Sequence, residues 1–293
     1  MATLNIIGAG RVGATLGNLI VANRVLDIGD VSDSDIAHAR EAVDFIGAGR
    51  ALGDIGAMRP ADIWLLSVPD ARIADVAHVL ARHRKNDAPA IAVHCSGALD
   101  TDTLSPLRAI GWSVASAHPM LSFAKPGTAV FQFEGTPCGL EGDRAARAAW
   151  SEILAAIGAR CFDIEPGSKA LYHAAAVVAS NFLPILAAMS VEMWQAAGIP
   201  QALIDDMMHT LTRNAATNVV SLGPQDALTG PAARGDHAVV EAQAQAIGAW
   251  DAVSRDAYDA LSTLATRLAR TGKVREVSSA DAGLNVAPSS LGR

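Results

Sequence analysis

The stretch Gly8-Ala9-Gly10-Arg11-Val12-Gly13 follows a short apolar run at residues 4–7 and opens a segment with apolar residues at helical spacing. A strand, a G-x-G-x-x-G turn and a helix in this order form the phosphate-binding start of a dinucleotide fold. The first glycine permits the tight turn, the second lets the backbone approach a pyrophosphate, and the third lets the helix lie close to the strand. Free N–H groups at the helix start attract phosphate. The predicted cofactor contacts in this loop are Gly8, Gly10, Arg11, Val12 and Gly13; the alternative is a purely structural turn.

Strand-like and helical stretches alternate through the first half of the chain, which predicts a parallel sheet with helices on both faces. Apolar runs typical of buried strands lie at residues 26–32, 62–68, 90–95 and 113–117. After Pro166-Gly167 the pattern predicts only long helices, at residues 168–197, 200–221 and 238–270.

This change of pattern predicts two domains. We expect an α/β N-terminal Rossmann domain at residues 1–166, with a doubly wound, mostly parallel sheet. An all-α C-terminal domain is expected at residues 167–272, for substrate binding and dimerisation, and a flexible tail at 273–293. Apolar helix surfaces too wide to pack within one domain predict a homodimer through the helical domain.

Composition limits the partners and the compartment. The formal net charge is −7 and there is no basic cluster, so neither nucleic acid nor an anionic membrane is expected as a partner. Cys95, Cys138 and Cys161 are too few and too widely spaced for a disulfide framework or a metal site. We expect no metal, no signal peptide and no membrane span, and therefore a cytoplasmic protein.

An acidic residue about 20 positions after the last glycine of a Rossmann loop accepts hydrogen bonds from the adenosine ribose. That position holds Asp33, which is followed by Ser34. A 2′-phosphate would meet like charge there, so the sequence favours NAD over NADP. Alternatively, Asp33 or Asp35 only caps the next helix, and Arg40 lies within reach of a phosphate.

Three peptides fall where strands are predicted to end, the edge at which ligands bind in doubly wound sheets. Ser67-Val68-Pro69 is expected to pass beside the cofactor ribose. Ser96, followed by a glycine, is expected to contact the nicotinamide amide or a substrate oxygen, or else to form only a Ser-Gly turn. His118 is a candidate substrate contact, with a structural hydrogen-bonding role as the alternative.

Polar residues interrupt the first apolar helix after the boundary. Lys169 and His173 share one helical face, and Asn181 borders it. This helix is expected to face the cleft between the domains, so Lys169 or His173 is predicted to exchange a proton with the reacting group and Asn181 to hold the substrate. The alternative is a solvated lysine and a packed core histidine.

The segment Leu228-Thr229-Gly230-Pro231-Ala232-Ala233-Arg234-Gly235-Asp236 is stiffened by two glycines and a proline. Its polar side chains are candidates for the substrate site. Thr229 is expected to contact the substrate, and Arg234 to bind a substrate carboxylate with two parallel hydrogen bonds. Alternatively, Arg234 and Asp236 form an internal ion pair.

Together, GAGRVG, LLSVPD, VHCSGAL, SAHPMLSF, KALYHAAAVVASNFL and ALTGPAARGD resemble bacterial proteins with a Rossmann-like domain followed by a domain called DUF2520. The resemblance spans residues 3–270, and LTGPAARGD is its most distinctive part. That family is related to the 6-phosphogluconate dehydrogenase C-terminal-like superfamily, which includes ketopantoate reductases, pyrroline-5-carboxylate reductases, β-hydroxyacid dehydrogenases and prephenate dehydrogenases. The resemblance implies a nicotinamide-dependent oxidoreductase that dimerises through its helical domain.

Two features depart from these relatives. In β-hydroxyacid dehydrogenases an Asn or Asp follows the lysine by one helical turn, whereas here His173 stands at that position. The family is more often NADP-linked, whereas Asp33 favours NAD. We expect hydride transfer between nicotinamide and a small 2-oxo or hydroxy acid, as in ketopantoate reductases. The alternatives are an imine reductase of the pyrroline-5-carboxylate type and a non-catalytic dinucleotide sensor.

Overall fold

The computed structural model describes residues 1–276, so most of the predicted flexible tail lies outside the described residues. The chain divides into two compact units, Met1–Asn181 and a second unit that begins at Phe182. Within the described residues the first unit, here the Rossmann unit, contains all the strands, and the second, the helical unit, contains only helices. The division lies after the predicted boundary at residue 166, because the segment 167–181 packs with the Rossmann unit.

The Rossmann unit contains one sheet of eight strands in the order β3-β2-β1-β4-β5-β6-β7-β8. The strands are β1 Thr3–Ile7, β2 Asp27–Ser32, β3 Arg50–Leu52, β4 Ile63–Leu66, β5 Ile91–His94, β6 Ser113–Pro119, β7 Pro137–Gly142 and β8 Arg160–Asp163. Every neighbouring pair is parallel except β6 with β7. The doubly wound, mostly parallel prediction is therefore confirmed, while β3, β7 and β8 escaped the sequence analysis.

Helices surround the sheet and build the second unit. Those of the Rossmann unit are α1 Arg11–Ala22, α2 Ile36–Ile46, α3 Asp70–Arg84, α4 Ser105–Arg108, α5 Pro126–Gln132, α6 Arg144–Ala156 and α7 Lys169–Ala176. A π-helical turn, Val177–Asn181, follows α7. Those of the helical unit are α8 Phe182–Ala196, α9 Gln201–Leu222, α10 Pro224–Ala227, α11 Pro231–Arg234, α12 His237–Trp250 and α13 Ala252–Thr271.

The sheet is apolar on both faces, as a parallel sheet covered by helices must be. Successive residues of β4 alternate between the two core clusters: Leu65 packs on one face, while Trp64 and Leu66 pack on the other. The strand order reverses between β1 and β4, so the loops after these strands diverge. Ligands of doubly wound sheets bind at this switch point.

Two expectations about helices are corrected. The predicted single helix at 238–270 is broken at Asp251, whose carboxylate accepts a hydrogen bond from the Ser254 N–H at 2.7 Å and so caps α13. The sequence analysis found no run suited to a bilayer, but Lys169–Ala196 is long and apolar enough by length and composition, with mean hydropathy 1.9. A core helix of a water-soluble protein passes the same test, so this criterion alone assigns no membrane.

Candidate cofactor and active site

The glycine loop has the geometry that a phosphate cradle needs. Gly8 has a φ of +96°, and a Cβ there would lie 2.6 Å from the Ser67 carbonyl. A Cβ on Gly13 would lie 2.4 Å from the carbonyl oxygen of Gly8, so helix α1 starts directly against the turn. Beside Gly10, in contrast, no atom lies within 4 Å of the Cβ position. Gly10 therefore faces open space at the start of α1, whose first turn has no side-chain cap.

A cavity of about 600 Å³ lies over this loop at the carboxyl ends of β1, β2 and β4. Its wall includes seven of the predicted cofactor residues: Gly8, Gly10, Asp33, Ser34, Ser67, Val68 and Pro69. Arg11, Val12 and Gly13 do not line it. Ser96, also predicted to contact the cofactor, lies outside its wall as well. Of the glycine loop, Gly8 and Gly10 thus line the cavity, whereas the residues that begin α1 do not.

The carboxylate of Asp33 is fixed at the edge of the cavity. It accepts hydrogen bonds from the Ala9 N–H at 2.9 Å and from the Asp35 N–H at 3.1 Å. Asp35 is the residue that caps α2, by accepting from the Ala37 N–H at 2.8 Å. Arg40 is not part of the cavity wall. The two roles that the sequence left open are therefore divided between two aspartates, and Asp33 is the one that faces the cavity.

The cavity fits a dinucleotide. The room beside Gly10 suits a pyrophosphate, which the N-terminus of α1 attracts. Sequence reasoning missed other residues of the wall, among them Asp54, Ile55, Arg72 and Val76. The position of Arg72 and Val76 on α3, directly after a strand that ends at the switch point, is the signal that points to them.

A second group of functional side chains surrounds Lys169. Lys169 is 3% exposed, and its Nζ donates hydrogen bonds to the Ser96 carbonyl oxygen at 2.7 Å and to the Ser116 hydroxyl. Among residues 1–276 no carboxylate lies within ion-pair distance of Nζ. Burial lowers the pKa of Lys169, an effect that Glu141 and other anionic groups partly oppose. Lys169 is therefore a buried ammonium held only by neutral oxygens, not the solvated lysine of the alternative.

The loop after β5 is tied down by its own side chains. Ser96 Oγ donates to the Asp70 carboxylate at 2.8 Å and accepts from the Ala98 and Leu99 N–H groups. The Ser96 N–H donates to His94 Nδ1 at 3.1 Å. The hydroxyl of Ser96 is thus engaged as in the Ser-Gly turn that the sequence offered as the alternative, and the carbonyl of Ser96 is what reaches Lys169.

His118 and His173 converge on Gly97. A Cβ on Gly97 would lie 2.4 Å from His173 Nδ1 and 2.8 Å from His118 Nε2, and the two imidazole centroids are 5.5 Å apart. His173 Nδ1 is buried without a hydrogen-bond partner. Burial, reinforced by the Lys169 charge, lowers the pKa of His118 to about 4. Both histidines are therefore brought together with Lys169 around the loop that follows β5.

The remaining predicted residues lie elsewhere. Asn181 is exposed at the end of the π-helical turn, where its Oδ1 accepts from Ser180 Oγ at 2.8 Å. π-Helical turns within α-helices often occur at functional sites. Thr229 and Arg234 belong to the helical unit and are exposed, and Arg234 Nη2 lies 3.8 Å from Asp236 Oδ2. This contact is the internal ion pair that the sequence offered as an alternative.

The described residues contain no group of three or more His, Cys, Asp or Glu side chains that could hold a metal ion. Cys95, Cys138 and Cys161 are free thiols.

Two family models match the chain. Residues 2–119 match the Rossmann-like domain, and residues 136–265 match DUF2520, a domain of unknown function. The chain therefore carries a Rossmann-like domain followed by a DUF2520 domain, as the resemblance implied. None of the curated proteins compared with the chain matches it.

Solved structures share this fold over nearly the whole chain. Protein TM1727 from Thermotoga maritima is 29% identical, with a TM-score of 0.73, and the match covers 92% of this chain and 99% of that one. Protein BF3122 from Bacteroides fragilis, named as a candidate NADP oxidoreductase, is 23% identical, with a TM-score of 0.70 and coverage of 91% and 98%. An imine reductase from Myxococcus stipitatus in complex with NADP+ is 17% identical, with a TM-score of 0.62 and coverage of 92% and 95%.

Proposed function

We propose that the chain is an NAD(P)-dependent oxidoreductase that transfers a hydride between nicotinamide and a small 2-oxo or hydroxy acid. The observation that carries the proposal is the open space beside Gly10, in a cavity whose wall also holds the fixed carboxylate of Asp33. A bound nicotinamide would supply the hydride donor or acceptor. The similar structures named as an NADP oxidoreductase and an imine reductase support the same class of activity.

Lys169 is the proposed proton donor or acceptor at the reacting oxygen or nitrogen. An ammonium has three N–H donors, and two of those on Lys169 are used by Ser96 and Ser116. The third is available for a substrate. Burial lowers the pKa of Lys169 toward neutral pH, and a group whose pKa lies near the operating pH both donates and accepts a proton efficiently. His173, with its unpartnered Nδ1, is the second candidate for this role.

His118, Asn181, Thr229 and Arg234 remain proposed substrate contacts. Those of the Rossmann unit suit hydrogen bonding to a carbonyl, and the guanidinium of Arg234 suits a carboxylate. Ser96 acts through its backbone carbonyl, which holds Lys169, because its hydroxyl is engaged with Asp70.

The test is a binding and turnover assay. Calorimetry with NADH and NADPH measures the cofactor affinity. The absorbance of the reduced cofactor is then followed with ketopantoate, other small 2-oxo acids and cyclic imines. Oxidation with a 2-oxo acid supports the proposal, and oxidation only with imines supports an imine reductase. Tight cofactor binding without turnover on either class indicates a dinucleotide sensor.

NAD is the proposed cofactor, because the Asp33 carboxylate would repel a 2′-phosphate. Replacing Asp33 with Ser and Ser34 with Arg is expected to shift the preference toward NADP, since the change removes an anion and adds a phosphate partner. Titrations of both cofactors on parent and variant measure the shift. A parent that already prefers NADPH contradicts the NAD assignment.

A homodimer through the helical unit is also proposed. Phe182, Leu183, Ile185 and Leu186 on α8 are each at least 40% exposed. Apolar groups in such number along one helix are typical of a surface that a partner covers. Light scattering at micromolar concentration is expected to give the mass of two chains. A monomer there contradicts the proposal.

A further inference from the structure

The phenol of Tyr172 reaches from α7 to the ring of His118. Tyr172 Oη lies 3.0 Å from His118 Nδ1, and the two rings meet edge to face with centroids 5.6 Å apart. Sequence reasoning singled out the neighbouring Lys169 and His173 and passed over Tyr172. The contact is between a strand and a helix 54 positions later in the chain.

Three neighbouring strands provide the space for this phenol. In the sheet, His118 on β6 faces Gly139 on β7, and Gly139 faces Phe162 on β8. A Cβ on Gly139 would lie 2.9 Å from Tyr172 Oη, so the hydroxyl passes over the position where a side chain is missing. Phe162 packs against the other side of the tyrosine, with ring centroids 6.1 Å apart. In this row of the sheet the large side chains of His118 and Phe162 flank Gly139. The space that Gly139 leaves free accommodates the Tyr172 hydroxyl.

The other contacts of the two groups favour one direction for this hydrogen bond. Within the described residues the Tyr172 hydroxyl has no acceptor other than His118 Nδ1, so donation from Oη to Nδ1 satisfies both groups. A neutral imidazole that accepts at Nδ1 carries its proton on Nε2. His118 Nε2 has no hydrogen-bond partner among residues 1–276 and is not fully buried, so it is accessible to solvent.

The charges around the pair agree with this assignment. Burial, together with the electrostatic effects of Lys169 and His173, outweighs the opposing effect of Asp70 and lowers the pKa of His118 to about 4. Burial raises the pKa of Tyr172 to about 12. At neutral pH the imidazole is therefore uncharged and the phenol keeps its proton.

We propose that Tyr172 is a positioning residue whose hydroxyl holds His118 in the Nε2–H tautomer, so that His118 presents a neutral donor to the oxygen or nitrogen of the substrate. This role rests on the proposed oxidoreductase function. A neutral donor stabilises negative charge that develops when hydride reaches the neighbouring carbon, and it does so without giving up its proton. Lys169 remains the group that exchanges the proton.

The test reads the tautomer directly. In protein labelled with ¹⁵N, long-range ¹H–¹⁵N correlation shows which imidazole nitrogen carries the proton, and His118→Gln identifies the signal. We expect Nε2–H in the parent and a loss of that preference in Tyr172→Phe, which keeps the ring contacts and removes only the hydroxyl. Tyr258→Phe is the matched control, because the Tyr258 hydroxyl bonds Gln243 in the helical unit. It is expected to leave the His118 signals unchanged.

Kinetics give the second readout. Tyr172→Phe is expected to lower kcat about tenfold and to leave the cofactor Kd unchanged, since one oriented donor is weakened. A parent with Nδ1–H, or a Tyr172→Phe variant that keeps the parental tautomer, overturns the inference whatever the activity. If the tautomer behaves as expected while no carbonyl or imine compound oxidises NAD(P)H, the proposed function fails and the inferred role at the substrate falls with it. The tautomer assignment then stands alone.

Discussion

The Rossmann unit buries most of its large apolar side chains, whereas the helical unit leaves most of its own exposed. Trp64, Trp150 and Phe133 in the first unit are at most 1% exposed. Among the described residues of the helical unit only Ile204 and Ala244 are buried hydrophobics. The first unit thus completes its core with its own chain, while the second presents apolar helix surfaces outward. The two candidate cations of the site differ in the same way, since Lys169 is buried and Arg234 is exposed.

This difference sets the size of mutational effects. A change in the Rossmann unit meets fixed neighbours, so it alters binding, proton transfer or stability strongly. A change at an exposed polar side chain of the helical unit, such as Arg234, meets solvent and alters the stability less.

Valine substitutions at two glycines of the same loop are expected to affect different properties, cofactor affinity in one case and stability in the other. Gly10→Val keeps an ordinary φ of −72° and meets open space, so the fold persists while cofactor affinity falls on the order of a hundredfold or more. Gly13→Val places its Cβ 2.4 Å from a backbone oxygen, so the melting temperature falls. Calorimetry and thermal melts separate the two variants. A Gly10→Val variant that binds NAD(P)H as the parent does would falsify the cradle assignment.

Removing the buried charge of Lys169 is expected to stop proton transfer without unfolding the unit. Lys169→Met keeps the length of the side chain, so we prefer it to an alanine that would leave a cavity. The rate of hydride transfer should fall about a hundredfold, while the melting temperature holds, because a buried ammonium without an ion pair adds little stability. Stopped-flow absorbance measures the rate. Lys85→Met, at an exposed lysine, is the control. Full turnover in Lys169→Met removes this residue from the chemistry.

The buried His94 predicts a dependence of stability on pH. Burial and the Lys169 charge lower the pKa of His94 from 6.5 to about 4 in the folded protein. The contribution of neutral, buried His94 to the free energy of unfolding is therefore complete above pH 6.5. It is lost as the pH falls toward 4, because His94 takes up a proton in the unfolded chain before it does so in the folded protein. Over that interval we expect His94→Gln to gain on the order of 3 kcal/mol relative to the parent. Urea unfolding at several pH values measures the difference, and exposed His78→Gln is the control. Parallel curves for parent and His94→Gln contradict the assignment.

Arg234 tests the helical unit. Its ion pair with Asp236 joins side chains that are 65% and 52% exposed, so breaking it changes the unfolding free energy by less than about 1 kcal/mol. If Arg234 binds a substrate carboxylate, Arg234→Lys raises KM for an acid substrate about tenfold, or about 1.4 kcal/mol, at an almost constant melting temperature. Asp236→Asn is the matched control, because it breaks the pair and keeps the guanidinium. An equal KM in parent and Arg234→Lys ends the anchor hypothesis.

The sequence by itself determined the features that depend on neighbouring residues in the chain. The spacing of Gly8, Gly10 and Gly13 after a strand predicts the cradle, since a tight turn and the approach of backbone are local properties. The distance in sequence from Gly13 to Asp33 is also predictable, because a single helix of ordinary length connects the loop after β1 to β2. The change of periodicity near Pro166 predicts the switch from α/β to all-α.

Only the tertiary structure decided which distant side chains meet. Tyr172 contacts His118 because β6, β7 and β8 bring three register positions side by side, and no local pattern contains that row. Lys169 looks like a helix-start lysine in the sequence. It becomes a buried ammonium only because Ser96, just after β5, and Ser116, within the neighbouring β6, accept its hydrogen bonds. Burial and electrostatic neighbours depend on long-range packing, and these set the pKa values that distinguish the candidate site from an ordinary core.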